Sequence, residues 1–111
     1  RKIVSFIEHR YAEDITLDQL EKQVYLSKQY LSKIFREATG MTIFDYLQRR
    51  RINHAKLLFS LDPASSVTDV CYDVGFKNLS HFSRLFKEQE GVSPEQFKKA
   101  ALQAKAIAGN S

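Results

Sequence analysis

Apolar residues recur every three or four positions along most of the chain, with polar residues between them. Ile3, Ile7 and Tyr11 begin this pattern, and Phe82 and Phe86 continue it in the second half. Such spacing is typical of amphipathic helices, which turn one apolar stripe toward a core. No segment requires a strand, so the pattern predicts an all-α fold.

Helix boundaries are indicated by residues that favour the first or last turn of a helix. Side chains that can accept a hydrogen bond from an early backbone N–H precede five apolar stripes, at Ser27, Thr42, Ser66, Asn78 and Ser93. Thr16 and Gln19 form a further capping box, whereas Gly40 and Gly91 favour the left-handed conformation that ends a helix. These signals predict seven helices, near 1–12, 16–24, 27–39, 42–61, 66–74, 78–90 and 93–102.

Residues 16–46 resemble residues 66–97, so the chain contains an internal repeat. Ser32-Lys33-Ile34 aligns with Ser83-Arg84-Leu85 at an offset of 51, and the glycine turns that follow align as well. Each copy reads as a short helix, a tight connection and a longer helix, which is a helix-turn-helix arrangement. We therefore expect one DNA-binding domain over 1–111, with a first unit at about 1–41, a linker helix at about 42–61, a second unit at about 62–102 and a frayed tail at 103–111.

The longer helix of each copy has a polar face opposite its apolar stripe. Burial of Leu31, Ile34, Phe35 and Ala38 would turn lysine, arginine, serine and glutamine side chains outward. Lysine and arginine bind phosphate or guanine, glutamine reads adenine, and serine fits close to either backbone or base. The candidates for base reading are Gln29, Ser32, Lys33, Ser80, His81, Ser83 and Arg84. The candidates for phosphate contact are Ser27, Lys28, Arg36, Arg49, Arg50, Asn78 and Lys87.

The linker helix has its own apolar positions, and we expect Phe44, Leu47, Ala55 and Leu58 to pack on both units. The other aromatic residues fall mainly on the buried stripes, so we interpret them as core side chains. Gly75 is expected to supply a positive φ in the second turn.

Charge is distributed unevenly, which matters more than the net charge of +4 over 111 residues. Residues 26–61 carry seven basic and two acidic side chains, whereas residues 62–76 carry only three aspartates. A basic segment permits a polyanionic partner without establishing one. The single cysteine, Cys71, excludes an internal disulfide, and the three histidines lack the spacing of metal ligands. We expect no cofactor, metal or catalytic site, and a packing role for Cys71.

Over about residues 15–98 the chain resembles the DNA-binding domain of AraC/XylS-type transcription regulators. The second unit carries the most diagnostic segments, Val70–Phe76, His81–Lys87 and Gly91–Phe97. Glu21 and Cys71 depart from the family pattern, which usually has alanine at both positions. The resemblance implies seven helices in two helix-turn-helix subdomains joined by a long helix. It also implies transcription activation or repression, usually with a separate sensory domain, and a structural contact for Arg51.

These observations predict sequence-specific binding of double-stranded DNA by a bacterial transcription regulator, with two recognition helices in successive major grooves. The alternative is a helical protein-interaction module, for example one that contacts RNA polymerase; an enzyme is not expected. No apolar run approaches the length of a membrane span, so we expect a cytoplasmic protein at the nucleoid. Arg1 is not a natural start, and we expect a longer protein with an N-terminal sensory or receiver domain that can dimerise.

Overall fold

The structure is a computed structural model that describes residues 2–13, 19, 20, 22 and 27–109. Within these residues it consists of helices without a strand, which confirms the all-α prediction. Six helices are defined there: α1 (Lys2–Arg10), α2 (Lys28–Thr39), α3 (Ile43–Leu61), α4 (Val67–Asp73), α5 (Leu79–Glu90) and α6 (Pro94–Gly109). The seventh predicted helix, near 16–24, and the Thr16–Gln19 capping box lie mostly outside the described residues.

The predicted N-caps form the expected hydrogen bonds. The Ser27, Ser66 and Asn78 side chains accept from the backbone N–H groups of Tyr30, Asp69 and His81, at 3.2, 2.9 and 2.8 Å. Before α6 the cap is reciprocal: Ser93 Oγ accepts from Gln96 N–H, and Gln96 Oε1 accepts from Ser93 N–H. Each cap satisfies a backbone donor that has no partner inside the helix.

The ends of α2 and α5 have the same geometry. Gly40 and Gly91 lie at φ 78° and 81°, and each N–H donates to a carbonyl four residues earlier, that of Arg36 or Lys87, at 2.8 Å. The left-handed conformation costs glycine little because it has no Cβ. The longer helices of the two copies inferred from the sequence therefore end in the same backbone conformation.

The chain divides into two compact units, unit 1 (Arg1–Arg50) and unit 2 (Arg51–Ser111), with the boundary inside α3. The core of unit 1 comprises Ile7, Leu20, Leu31, Phe35, Ile43 and Leu47. The core of unit 2 comprises Ile52, Ala55, Phe59, Val70, Cys71, Val74, Phe76, Phe82 and Phe86. Phenylalanine rings meet edge to face in unit 2, with Phe76 and Phe82 centred 5.1 Å apart.

Two residues expected in the buried stripes are exposed. Phe44 is 59% exposed because α3 turns Ile43 and Leu47, four residues apart, into the core of unit 1. Ala38 is also exposed, because it lies at the edge of the stripe set by the buried Leu31 and Phe35. The apolar stripes were therefore predicted slightly too wide.

The C-terminal helix is longer than expected. The predicted helix end near 102 is wrong, because α6 continues to Gly109. Fraying of 103–111 stays a prediction. Alanine is the strongest helix former and is frequent in this segment. Lys105 Nζ also donates to the carbonyl of Leu61 at 2.9 Å, which links the end of α6 to the end of α3 within unit 2.

Gly75 allows the chain to turn between α4 and α5. Its φ is 105°, as the sequence predicted, and the next residue, Phe76, is 3% exposed in the core of unit 2. We expect Gly75→Val to destabilise the chain by about 1–3 kcal/mol, because a β-branched residue is strained at positive φ. Urea unfolding followed by circular dichroism measures the change.

Gly109→Ala is the matched control for Gly75→Val. Gly109 ends α6, and a Cβ added there would meet no atom within 4 Å. The control should leave the unfolding midpoint unchanged. An equally unchanged midpoint for Gly75→Val would contradict the role assigned to this turn.

Candidate nucleic-acid interface

The polar face of α2 lies opposite its two core residues. Leu31 and Phe35 are 0% and 4% exposed, and their burial fixes the rotation of the helix about its axis. The side chains turned to solvent are those of Gln29, Ser32, Lys33 and Arg36, whereas Lys28 is half-buried. One helix therefore brings together five of the predicted contact residues of unit 1 as a single stripe of donors and cations.

The polar face of α5 is built in the same way. Phe82 and Phe86 are fully buried, and Ser80, Arg84 and Lys87 are exposed on the other side. Ser83 and His81 are half-buried. The His81 ring lies edge-on to Phe76 with 5.8 Å between centroids, so its orientation is restricted. The polar face of α2 belongs to unit 1, and the polar face of α5 belongs to unit 2.

The N-cap residues combine a structural role with free hydrogen-bonding capacity. Asn78 Oδ1 accepts from His81 N–H, and its amide group is left to donate to solvent or to an anion. Ser27 Oγ accepts from Tyr30 N–H and retains its hydroxyl proton as a donor. Both residues are exposed at the N-terminus of a helix, where the helix dipole favours negative charge.

The three consecutive arginines of α3 have different environments. Arg49 is exposed. Arg51 is 7% exposed and lies over the Phe76 ring at 5.8 Å, which agrees with the structural contact that the resemblance implied. Arg50 contacts side chains of α1 and the turn after it, within unit 1. Successive residues of a helix point about 100° apart, so adjacent arginines do not share one environment.

Arg50 belongs to a cluster that links α1 to α3. Its Nη2 lies 2.8 Å from Glu8 Oε1, and its guanidinium lies 5.2 Å from the centroid of the Tyr11 ring. The Tyr46 hydroxyl donates to the other Glu8 oxygen at 2.7 Å, and this hydrogen bond raises the pKa of Tyr46. The arrangement does not support the expectation that Arg50 contacts phosphate, because Glu8 already pairs with its charge.

The acidic residues at the end of α5 reduce the positive charge of its polar face very little. Glu90 pairs with Lys56 of α3 at 3.0 Å and is directed into unit 2. Next to it, the Gln89 amide donates to Asn53 Oδ1 at 2.9 Å. Only Glu88 lies near a predicted contact, at 4.0 Å from Arg84, and both side chains are more than 60% exposed. Such a pair is weak in water.

Tyr30 is a residue of the polar face that the sequence interpretation missed. It lies in the first turn of α2 and is 50% exposed, although the aromatic residues were expected mainly in the core. The internal repeat contained the necessary signal. At the offset of 51 Tyr30 aligns with His81, which was predicted to lie on the polar face of α5.

The remaining side-chain chemistry points to packing. Cys71 is fully buried, and burial raises the pKa of its thiol, which disfavours the reactive thiolate. In the described part of the chain, no histidine, cysteine, aspartate and glutamate side chains are grouped as metal ligands. Across the same residues, none of the helices is both long and apolar enough to cross a membrane.

Comparison with known proteins agrees with this geometry. A family model described as a helix-turn-helix domain matches residues 20–100. An uncharacterised HTH-type transcriptional regulator encoded in the cgkA 5′ region of Pseudoalteromonas carrageenovora is 37% identical over 94 residues, which are 85% of this chain and 55% of that protein. The melibiose operon regulatory protein of Escherichia coli K12 is 30% identical over 102 residues, or 92% of this chain and 33% of that protein.

A solved structure shows the same fold. The crystal structure of a probable AraC family transcriptional regulator from Rhodopseudomonas palustris CGA009 superposes with a TM-score of 0.85 at 29% identity. The superposition covers 91% of this chain and 94% of the other. The chain itself spans only a third to about half of the two curated relatives.

The described residues form an all-α fold in which α2 and α5 are capped and expose cations, and the matching family model is a helix-turn-helix domain. The chain belongs to the AraC/XylS-type family of helix-turn-helix transcription regulators. This membership confirms the predicted class, a DNA-binding domain of a transcription regulator and not an enzyme.

Proposed function

We propose that the chain binds double-stranded DNA sequence-specifically and that α2 and α5 are its two recognition helices. The observation that carries this proposal is that both helices present the same kind of face. Each has a capped N-terminus, a fully buried apolar residue on one side, and exposed cations and short hydrogen-bonding side chains on the other. A protein-binding surface is normally richer in large apolar side chains than these faces are.

The residues divide by their position along each helix. Recognition helices present their N-terminal residues to base edges. The proposed base-reading residues are Gln29, Ser32 and Lys33 in unit 1, and Ser80, His81, Ser83 and Arg84 in unit 2. We assign phosphate contacts to residues at or next to the caps, later in the helix or on α3: Ser27, Lys28, Arg36, Arg49, Asn78 and Lys87.

The length of α3 supports binding to successive major grooves. It is a single helix of 19 residues, which at 1.5 Å per residue is about 28 Å long. Successive major grooves on one face of B-DNA are about 34–36 Å apart. A helix of comparable length that contributes residues to both cores suits a linker between two reading units.

Within a whole protein, the chain would be one part of a longer regulator. Its relatives are about one and a half to three times its length. We propose that a sensory or receiver domain precedes it, that the full-length protein can dimerise, and that it acts in the cytoplasm at the nucleoid.

The test of DNA binding is a salt titration. The chain is used to select duplexes from a randomised pool, and its affinity for a selected duplex is measured between 50 and 300 mM salt. We expect an enriched consensus, and a logarithmic affinity that falls with slope of about −0.9 for each phosphate neutralised. Absence of a consensus, or affinity independent of salt, would contradict the proposal.

Substitutions on α5 separate base reading from phosphate contact. Arg84→Ala should cost about 1–3 kcal/mol on the selected duplex and relax preference at one base position. Lys87→Ala should weaken selected and scrambled duplexes alike and reduce the salt slope by about one. Lys99→Ala, which removes an exposed cation of α6, is the control. Unchanged affinity and preference for Arg84→Ala would show that this face is wrongly assigned.

A second candidate function, contact with another protein such as RNA polymerase, is favoured by the acidic side of unit 2. A groove of about 630 Å³ is lined by Asp62, Asp69 and Asp73 together with Leu58 and Leu61. The three carboxylates would repel phosphate, and Leu61 is 63% exposed beside them. This surface suits a basic partner protein and not DNA.

Carboxamide substitutions in that groove test the second function. Asp69→Asn combined with Asp73→Asn should not weaken DNA binding, because it removes only negative charge, but should lower transcription by purified bacterial RNA polymerase from a promoter that carries the selected site. Glu95→Gln, at an exposed acid of α6, is the matched control. Equal transcription with both variants would contradict contact through this groove.

A further inference from the structure

Tyr30 lies in the first turn of α2, beside the residues proposed to contact DNA, but has no role assigned so far. It lies three residues after the N-cap Ser27, whose Oγ accepts from its backbone N–H, so the start of the helix is fixed at this position. Its side chain is 50% exposed. Among the residues that the structure describes, the Tyr30 hydroxyl makes no hydrogen bond. A phenolic donor is therefore available to solvent at the N-terminal end of the polar face.

The position of Tyr30 around the helix selects its target. Lys33 points away from the buried Leu31 and Phe35, which places it at the centre of the exposed face. Three residues correspond to about 300° of rotation, so Tyr30 lies about 60° to one side of Lys33. When a helix enters a major groove, its centre faces the base edges, and long side chains on either side of the centre can reach the groove walls. Those walls are sugar and phosphate, for which the tyrosine hydroxyl is one of the usual donors.

The equivalent position in unit 2 differs in a way that favours this role. His81 aligns with Tyr30, but its ring is half-buried and lies edge-on to Phe76. Tyr30 has the longer side chain and the greater exposure. Its reach suits a phosphate oxygen at the groove wall, whereas His81 is held closer to the body of its unit.

We propose that the Tyr30 hydroxyl donates a hydrogen bond to a phosphate oxygen at the wall of the major groove that α2 enters. This contact orients α2 without reading sequence, because phosphates are the same at every base pair. The inference rests on the proposed DNA-binding function and adds a residue that sets the position of the unit 1 recognition helix on the duplex.

Removal of the single oxygen atom is the sharpest test. Tyr30→Phe keeps the ring and removes only the donor, and Tyr72→Phe is the matched control. Tyr72 is 53% exposed on α4, where the neighbouring Asp69 and Asp73 disfavour an approach of phosphate. The probes are a duplex selected from a randomised pool by the unmodified chain and a scrambled duplex of equal length.

We expect Tyr30→Phe to weaken binding to both duplexes by the same factor, about three- to tenfold, as for loss of one hydrogen bond. The salt slope should not change, because a neutral hydroxyl displaces no counterion. Tyr72→Phe should match the unmodified chain. Equal affinities for Tyr30→Phe and the unmodified chain would overturn the contact, as would a loss confined to the selected duplex.

Tyr30→Ala distinguishes the phosphate contact from a base contact by the ring. If Tyr30→Phe is neutral while Tyr30→Ala alters base preference, the ring reads a base and the proposal is wrong. Failure of the unmodified chain to select any duplex would instead contradict the proposed function itself. Thermal unfolding of each variant confirms that the exposed substitutions leave the fold intact.

Discussion

The burial of two apolar side chains one turn apart fixes which face α2 and α5 present to solvent. Leu31 and Phe35 in α2, and Phe82 and Phe86 in α5, are almost completely excluded from water. Burial of each side chain is worth about 1.5–3 kcal/mol, so rotation of either helix about its axis is strongly opposed. The exposed cations and short polar side chains keep their direction because the opposite side is fixed in a core. Caps at both ends then fix the position of each helix along its axis.

The two units share this plan, but in the described residues α2 and α5 are held by different contacts. In unit 2 the end of α5 is joined to α3 by the Lys56–Glu90 ion pair and the Gln89–Asn53 hydrogen bond. In unit 1 the last turn of α2 has a hydrogen bond within the helix, in which Thr39 Oγ1 donates to the Phe35 carbonyl at 2.7 Å. Unit 1 has a separate link, through Glu8, between α1 and α3. Among the described residues, the similar polar faces of α2 and α5 are therefore supported by different polar contacts.

Local signals in the sequence predicted most of the fold and most of the candidate interface. N-caps, glycine ends and a 3.6-residue period depend on neighbours within one turn, so the boundaries of α2 and α5 and their polar faces could be inferred. The pairing of Arg50 with Glu8 could not, because it depends on how α1 packs against α3. The extension of α6 has a similar cause, since Lys105 contacts the distant Leu61 carbonyl. Tyr30 was missed because aromatic character was taken as a sign of burial, although the repeat placed it beside exposed residues.

The proposed joint reading of one duplex by the two units, at a fixed spacing, is tested most directly by the separation of the two half-sites. Insertion of five base pairs between the half-sites of a selected duplex turns one of them by about half a helical turn. The affinity of the unmodified chain should then fall to that for a duplex with a single half-site. An unchanged affinity would contradict the claim, because it would mean that one unit alone reads the DNA or that the two units are not rigidly coupled.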